Sequence, residues 1–138
     1  MAQLELLLTY SERFYQRQFI TRKKTHHQLL ARLEGLLNNY FAGDDIQKRG
    51  LPTVSFIAQE LNVSPGYLSS MLRILTGLNT QQHIHQKLVE KAKEKLSTTE
   101  LSVSEIAYDL GFEHPQSFSK LFKTKTSLSP SEFRQSFN

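Results

Sequence analysis

The sequence predicts an all-α protein: two helix-turn-helix subdomains joined by a long linker helix and preceded by an N-terminal helical appendage. Three observations predict this fold class. Apolar residues recur at helical spacing along most of the chain. Capping and helix-ending residues divide the chain into segments of helical length. One pattern of helix, turn and helix occurs twice, which indicates an internal duplication.

The appendage is predicted to span residues 1–50. An amphipathic stripe runs from Leu4 to Phe19, and residues 27–41 carry a broad apolar face at helical spacing. Residues 42–52 are polar and contain two glycines and a proline, which is the composition of a linker. We therefore place a boundary there, with the working domain at residues 51–138.

The first helix-turn-helix unit is predicted at residues 53–77. Thr53 is a suitable cap for its first helix, and Asn62 tolerates the positive φ that ends that helix. Ser64 and Pro65 then open a second helix that stops at Gly77. The linker helix follows at residues 79–97 and would span roughly 25 Å.

The second unit is predicted at residues 102–134. Ser102 and Glu105 have the spacing of a capping box, Gly111 supplies the turn, and Pro115 opens the outer helix. A last short helix begins after Ser129. The two units correspond residue by residue, because residues 57–63 align with residues 106–112 at an offset of 49, and residues 65–76 with residues 115–126 at an offset of 50.

The charge distribution points to a polyanionic partner. The chain has 17 Lys and Arg against 13 Asp and Glu, for a net charge of +4, which is compatible with nucleic acid and equally common among other proteins. The outer helix of the second unit is more informative, because its outward residues are donors or positively charged and include no acid: Gln116, Ser117, Ser119, Lys120 and Lys123. Such a face is suited to phosphates and base edges.

Other chemistries find little support in the sequence. There is no cysteine, and the His26-His27 and His83-x-His85 pairs point their side chains in different directions on a helix, so we expect no metal site and no cofactor. No nucleophile motif, phosphate-binding glycine loop or carboxylate pair is present, so we expect no enzyme. Apolar runs are too short to span a membrane, and a cytoplasmic location without a membrane partner is expected.

Residues 53–138 resemble the DNA-binding domain of the AraC/XylS family of bacterial transcription regulators. The second unit carries the most specific part of that resemblance: Ile106-Ala107, Leu110-Gly111-Phe112, Phe118, Phe122-Lys123, Pro130 and Phe133-Arg134. One position departs from the family, which usually has glycine where this chain has Ser127. The resemblance implies a homeodomain-like pair of units that binds specific double-stranded DNA by inserting two recognition helices into successive major grooves.

The resemblance also assigns residues by position. It places these residues toward the bases: Gly66, Tyr67, Ser69, Ser70, Pro115, Gln116, Ser117, Ser119 and Lys120. Gln116 suits adenine and Lys120 suits guanine. Arg73 and Lys123 are expected on phosphate, whereas His114 is expected either to cap the second recognition helix or to contact the DNA backbone.

Two alternatives stay open at this stage: an architectural DNA binder without sequence preference, and a helical protein–protein adaptor. Further candidate partners are RNA polymerase and a second copy of the chain, bound through residues 4–41 or through a sensor domain outside this sequence. The apolar helical pattern at the N-terminus is expected in either a fragment of a longer regulator or a short regulator.

Overall fold

A computed structural model of the protein describes residues 24–137, and every regular element within that range is an α-helix. The helices are α1 (residues 24–42), α2 (Asp45–Arg49), α3 (Val54–Glu60), α4 (Pro65–Thr76), α5 (Thr80–Thr98), α6 (Val103–Asp109), α7 (Pro115–Thr126) and α8 (Pro130–Gln135). The all-α fold class is confirmed. The predicted helix at residues 4–19 lies outside the described residues. Over residues 24–137, no helix combines the length and apolarity needed to cross a membrane.

Helices α3 and α4 form the first helix-turn-helix unit, with the boundaries that local chemistry predicts. The Thr53 hydroxyl accepts the Phe56 amide at 3.1 Å, and the Ser64 hydroxyl caps α4 in the same way. Asn62 has a φ of +56°, a conformation in which a short polar side chain is tolerated. Gly77 ends α4 in the left-handed region.

Helices α6, α7 and α8 form the second unit. Ser102 and Glu105 make the predicted capping box, in which the Glu105 amide donates to the Ser102 hydroxyl at 3.1 Å. Gly111 makes the turn with a φ of +87°. Ser127 ends α7 with a φ of +69°, close to the +79° of Gly77. The departure from glycine at this position therefore leaves the turn unchanged.

A side-chain detail repeats between the two units and supports the duplication. Thr76 and Thr126 occupy equivalent places at the ends of α4 and α7. Each hydroxyl donates to the carbonyl four residues earlier and accepts the amide two residues later. The C-terminal ends of the two outer helices are thus stabilised by the same hydrogen bonds.

The long helix α5 holds the two units together. The predicted capping box forms at its start between Asn79 and Gln82. Its 19 residues give a length of about 28 Å, and it packs against α4, α6, α7 and α8. At its far end, the Arg134 guanidinium donates to the carbonyls of Leu96 at 3.1 Å and Thr99 at 3.4 Å, fastening α8 to α5. One continuous ridge is buried along α5: Thr80, Ile84, Leu88, Ala92 and Leu96.

Helix α1 contributes its apolar face to the same core. Its buried side chains are Leu29, Leu33, Leu37, Tyr40 and Phe41. They belong to one continuous cluster with buried residues of both helix-turn-helix units. The predicted apolar face of residues 27–41 is therefore covered within the chain.

The segment predicted as a linker contains a helix that the polar composition concealed. Ile46 of α2 is buried, and α2 packs on α6 of the second unit. Gln47 Nε2 donates to Asp109 Oδ1 at 3.1 Å, and a Cβ added at Gly111 would lie only 2.5 Å from the Ile46 carbonyl oxygen. Residues 45–49 are thus folded against the second unit. The division into domains at residue 50 stays a prediction.

Candidate nucleic-acid interface

Helix α7 presents a basic stripe on the side opposite its buried phenylalanines. Phe118 and Phe122 fix the inner face of the helix. Gln116, Lys120 and Lys123 are exposed and follow one another at helical spacing, so they lie on one outward line. No acid occurs between Glu113 and Glu132, so α7 itself carries no carboxylate. Glu132 of α8 lies close enough that Lys123, after the hydrogen bonds from Ser129, helps to lower its pKa. This surface offers an amide and two ammonium groups to a polyanion.

Helix α4 presents an equivalent stripe with much smaller side chains at two of its three positions. Its members Gly66, Ser70 and Arg73 are exposed and stand 50 positions before Gln116, Lys120 and Lys123. Leu68 and Leu72 hold the opposite face in the core. Arg73 is the only charged residue of α4. The two outer helices thus expose corresponding positions and differ in chemistry.

The N-terminal ends of both outer helices favour negatively charged ligands. Neither α4 nor α7 has an acid in its first turn, where a carboxylate would offset the positive end of the helix dipole; before α7 the nearest acid is Glu113, one residue ahead of the cap position. His114 occupies the cap position of α7, but its side chain makes no capping hydrogen bond. Of the two roles expected for His114, capping is therefore wrong, and the residue is exposed beside the basic stripe.

The remaining predicted contact residues flank the two stripes. Tyr67 and Ser117 are exposed, whereas Pro115, Ser119 and Ser69 are half-buried. Ser69 Oγ is hydrogen-bonded to Thr80 Oγ1 at 3.0 Å, and this bond ties α4 to the start of α5. A base contact by Ser69 stays a prediction, in which its hydroxyl would have to share or exchange that partner.

One exposed residue of this surface had not been predicted. Ile74 on α4 is 71% exposed, the highest value among the exposed large hydrophobic side chains of residues 24–137. The signal in the sequence is its position seven residues after Tyr67, which places both on one side of the helix and off the buried face of Leu68 and Leu72.

The paired histidines of α5 serve as internal hydrogen-bonding groups. Thr76 Oγ1 lies 2.8 Å from His83 Nε2, and Gln81 Nε2 lies 2.9 Å from His85 Nε2. Partial burial lowers the pKa of both imidazoles below the ordinary value, and for His85 the nearby Lys125 lowers it further. Within the described chain, no three His, Cys, Asp or Glu residues are grouped to hold a metal ion.

Comparison with known proteins agrees with this geometry. Residues 57–136 match the family model described as a helix-turn-helix domain. The C-terminal domain of AraT, a response regulator from Geobacillus stearothermophilus, superimposes with a TM-score of 0.67 and 31% identity, over 78% of this chain and 84% of that chain. The fold is thus that of a solved regulator domain.

Two curated relatives extend the comparison. The Msm operon regulatory protein of Streptococcus mutans is 37% identical over 82 residues, which are 59% of this chain but only 30% of that protein's length. The HTH-type transcriptional activator AarP of Providencia stuartii is 31% identical over 109 residues, which are 79% of this chain and 73% of that protein. The chain therefore belongs to the AraC/XylS family of bacterial transcription regulators, which bind specific DNA sequences through a helix-turn-helix domain.

Proposed function

We propose that the chain binds its target as a monomer, with α4 and α7 entering two successive major grooves on one side of the duplex. The observation that carries the proposal is the acid-free stripe of Gln116, Lys120 and Lys123, repeated in position by Gly66, Ser70 and Arg73. Both units pack on α5, whose length of about 28 Å suits two grooves separated by one DNA turn of roughly 34 Å.

In this arrangement the second unit supplies most of the hydrogen-bonded sequence readout. Gln116 pairs with adenine and Lys120 with guanine, while Lys123, Arg73 and the exposed His114 hold phosphates. Seven further residues of the two helices complete the base contacts: Gly66, Tyr67, Ser69, Ser70, Pro115, Ser117 and Ser119. The short side chains of α4 leave the first unit fewer hydrogen bonds with which to distinguish bases.

Selection of bound sequences from a random duplex pool tests this proposal. We expect one site that covers about two DNA turns, with the stronger base preference in the half bound by α7. A site repeated with two-fold symmetry would instead indicate a dimer. Binding without any enriched sequence would favour the architectural alternative, and failure to bind duplex at low salt would favour the protein adaptor.

Alanine variants separate phosphate contacts from base contacts. Arg73→Ala and Lys123→Ala should weaken binding to all sequences and reduce the slope of log K against log salt by about 1 each. Lys120→Ala and Gln116→Ala should instead relax the preference at one base position, worth about 1–3 kcal/mol against the wrong base. Lys91→Ala is a matched control, because Lys91 on α5 is engaged with Glu94 at 3.7 Å. An Arg73→Ala slope equal to that of the control would remove Arg73 from the phosphate contacts.

The proposal extends to the setting in which the chain works. We propose that it acts in the cytoplasm, without catalysis of its own, and influences transcription through RNA polymerase at the bound promoter. A second copy or a sensor domain would bind through residues 4–41. Because Leu29, Leu33 and Leu37 are buried within the chain, that contact would depend on the apolar residues of 4–19. Light scattering tests whether two copies of the chain associate, and in vitro transcription tests the effect on RNA polymerase.

A further inference from the structure

The outer side of α4 carries an apolar stripe that has no counterpart on α7. Ile74 is 71% exposed and Tyr67 is 44% exposed. They are seven residues apart, so they lie on one side of the helix, next to the line of Gly66, Ser70 and Arg73. The equivalent positions of α7 are Ser117 and Thr124, which are polar.

Packing within residues 24–137 does not account for an isoleucine at position 74. Its side chain belongs neither to the buried cluster nor to the hydrophobic residues packed against that cluster. A β-branched residue is also a mediocre helix former, so helix propensity does not favour it. An apolar side chain here therefore calls for a contact beyond those that residues 24–137 make among themselves.

Packing within residues 24–137 does not explain Gly66 on the same helix either. A Cβ added at Gly66 would meet no heavy atom within 4 Å, and the residue needs no positive φ. Glycine in a helix is generally less stable than alanine, and one reason to retain it is the close approach of the backbone to a ligand. The first turn of α4 is thus left bare on the side that carries Ser70 and Arg73.

We propose that Ile74 and Tyr67 read thymine in the first half-site by apolar contact with its C5-methyl group, while Gly66 allows the backbone to come close to the base edges. This inference rests on the proposed function. The thymine methyl is the apolar group that the major groove presents, and aliphatic or aromatic side chains recognise it. The two side chains are about 10 Å apart along the helix, which corresponds to about three base-pair steps.

Replacing thymine by deoxyuridine tests the contact directly, because it removes the methyl group and keeps every hydrogen bond of the base pair. The half-site bound by the first unit is found by attaching a DNA-cleaving reagent to Ser55→Cys, since the chain contains no cysteine and Ser55 is exposed on α3. On the selected duplex, deoxyuridine in that half-site should weaken binding by the wild-type chain about two- to fivefold per contacted thymine.

The Ile74→Ala and Ile74→Ser variants identify the side chain responsible. Ile74→Ser leaves a hydroxyl and removes every methyl group, whereas threonine would keep one that can still contact thymine. Both variants should bind the thymine duplex more weakly and no longer distinguish it from the deoxyuridine duplex at one position. Deoxyuridine placed in the second half-site is the matched control, and its effect should be the same for the wild type and both variants.

Several results would overturn the inference. The first is that the selected first half-site contains no thymine. The second is that the wild-type chain binds the thymine and deoxyuridine duplexes equally well. The third is that Ile74→Ala weakens binding to both duplexes by the same factor. A changed oligomeric state of Ile74→Ala with unchanged DNA binding would also overturn it and assign Ile74 to a protein contact. Failure of the wild-type chain to select any sequence is a different result, because it rejects the proposed function itself.

Discussion

The residues that end the two outer helices adopt the same left-handed backbone conformation, which suits glycine better than serine. Gly77 and Ser127 both end their helices in the left-handed region, with φ of +79° and +69°. Glycine adopts this conformation without steric cost, whereas a Cβ costs roughly 1 kcal/mol or more. The second unit thus carries a small strain that the first unit avoids.

Ser127→Gly should therefore raise the free energy of unfolding by about 0.5–1 kcal/mol. The reciprocal change Gly77→Ser should lower it by about 1 kcal/mol, because it brings the same strain into the first unit. Urea denaturation of both variants measures the two effects. If Ser127→Gly were neutral or destabilising, the serine side chain would be making a compensating contact.

The two histidines of α5 make folding stability depend on pH. Both have a folded-state pKa lowered by partial burial, and Lys125 adds to this for His85, while Glu34 partly opposes it for His83. The unfolded chain, with a histidine pKa of about 6.5, then binds protons more readily than the folded chain. Their contribution is present above pH of about 6.5 and is lost as the pH falls through the lowered folded-state values.

We therefore expect the free energy of unfolding to decrease on acidification from neutral pH through about 6.5 and below. The double variant His83→Gln, His85→Gln should show a flatter dependence over that window, because glutamine does not titrate. Urea denaturation at a series of pH values measures both curves. Parallel curves for the two proteins would assign the pH dependence to other groups.

At the residue scale, the sequence predicts those features whose cause is local. The caps at Thr53, Ser64 and Ser102 depend on neighbours three residues away, and all three form. The pairing of Ser69 with Thr80 depends on how α4 docks on α5. Local patterns contain no information on that docking, so the sequence alone predicts that the Ser69 hydroxyl points outward.

At the scale of helices, length and repetition decide what can be predicted. The ridge of Ile84, Leu88, Ala92 and Leu96 repeats every four residues and makes α5 evident in the sequence. Helix α2 has five residues and one buried side chain, Ile46, so it offers no periodicity. Its helical state depends on packing against α6, which lies about 60 positions further along the chain.

The single anchor of α2 makes a sharp prediction. Ile46→Ala should lower the free energy of unfolding by about 2–5 kcal/mol, because it leaves a cavity where α2 packs on α6. Ile74→Ala makes the same chemical change on an exposed site, and its effect on stability should stay within about 0.5 kcal/mol. Chemical denaturation of the two variants compares them, and equal effects would mean that α2 contributes no anchoring.

At the scale of the whole molecule, sequence and structure describe the N-terminal region differently. Polar composition at residues 42–52 suggests a division between an appendage and a working domain. In the structure, Leu33, Leu37 and Ile46 belong to the same buried cluster as Ile106 and Phe118 of the second unit. Hydrophobic burial is shared among distant segments, and a scan for breaks in composition does not detect that sharing.

Removing residues 1–50 tests whether these residues form a separate domain or part of one shared core. If the core is one cooperative unit, residues 51–138 alone should be much less stable than the full chain. Without α1 and α2, the apolar side chains that these two helices cover would be exposed to water. The full chain should then unfold in a single transition by both calorimetry and denaturant. Two separate transitions of the full chain, or an unchanged midpoint for residues 51–138, would establish the appendage as an independent domain. A single transition would mean that whatever binds the N-terminal region is linked energetically to the turn of the second unit, where Gly111 meets Ile46.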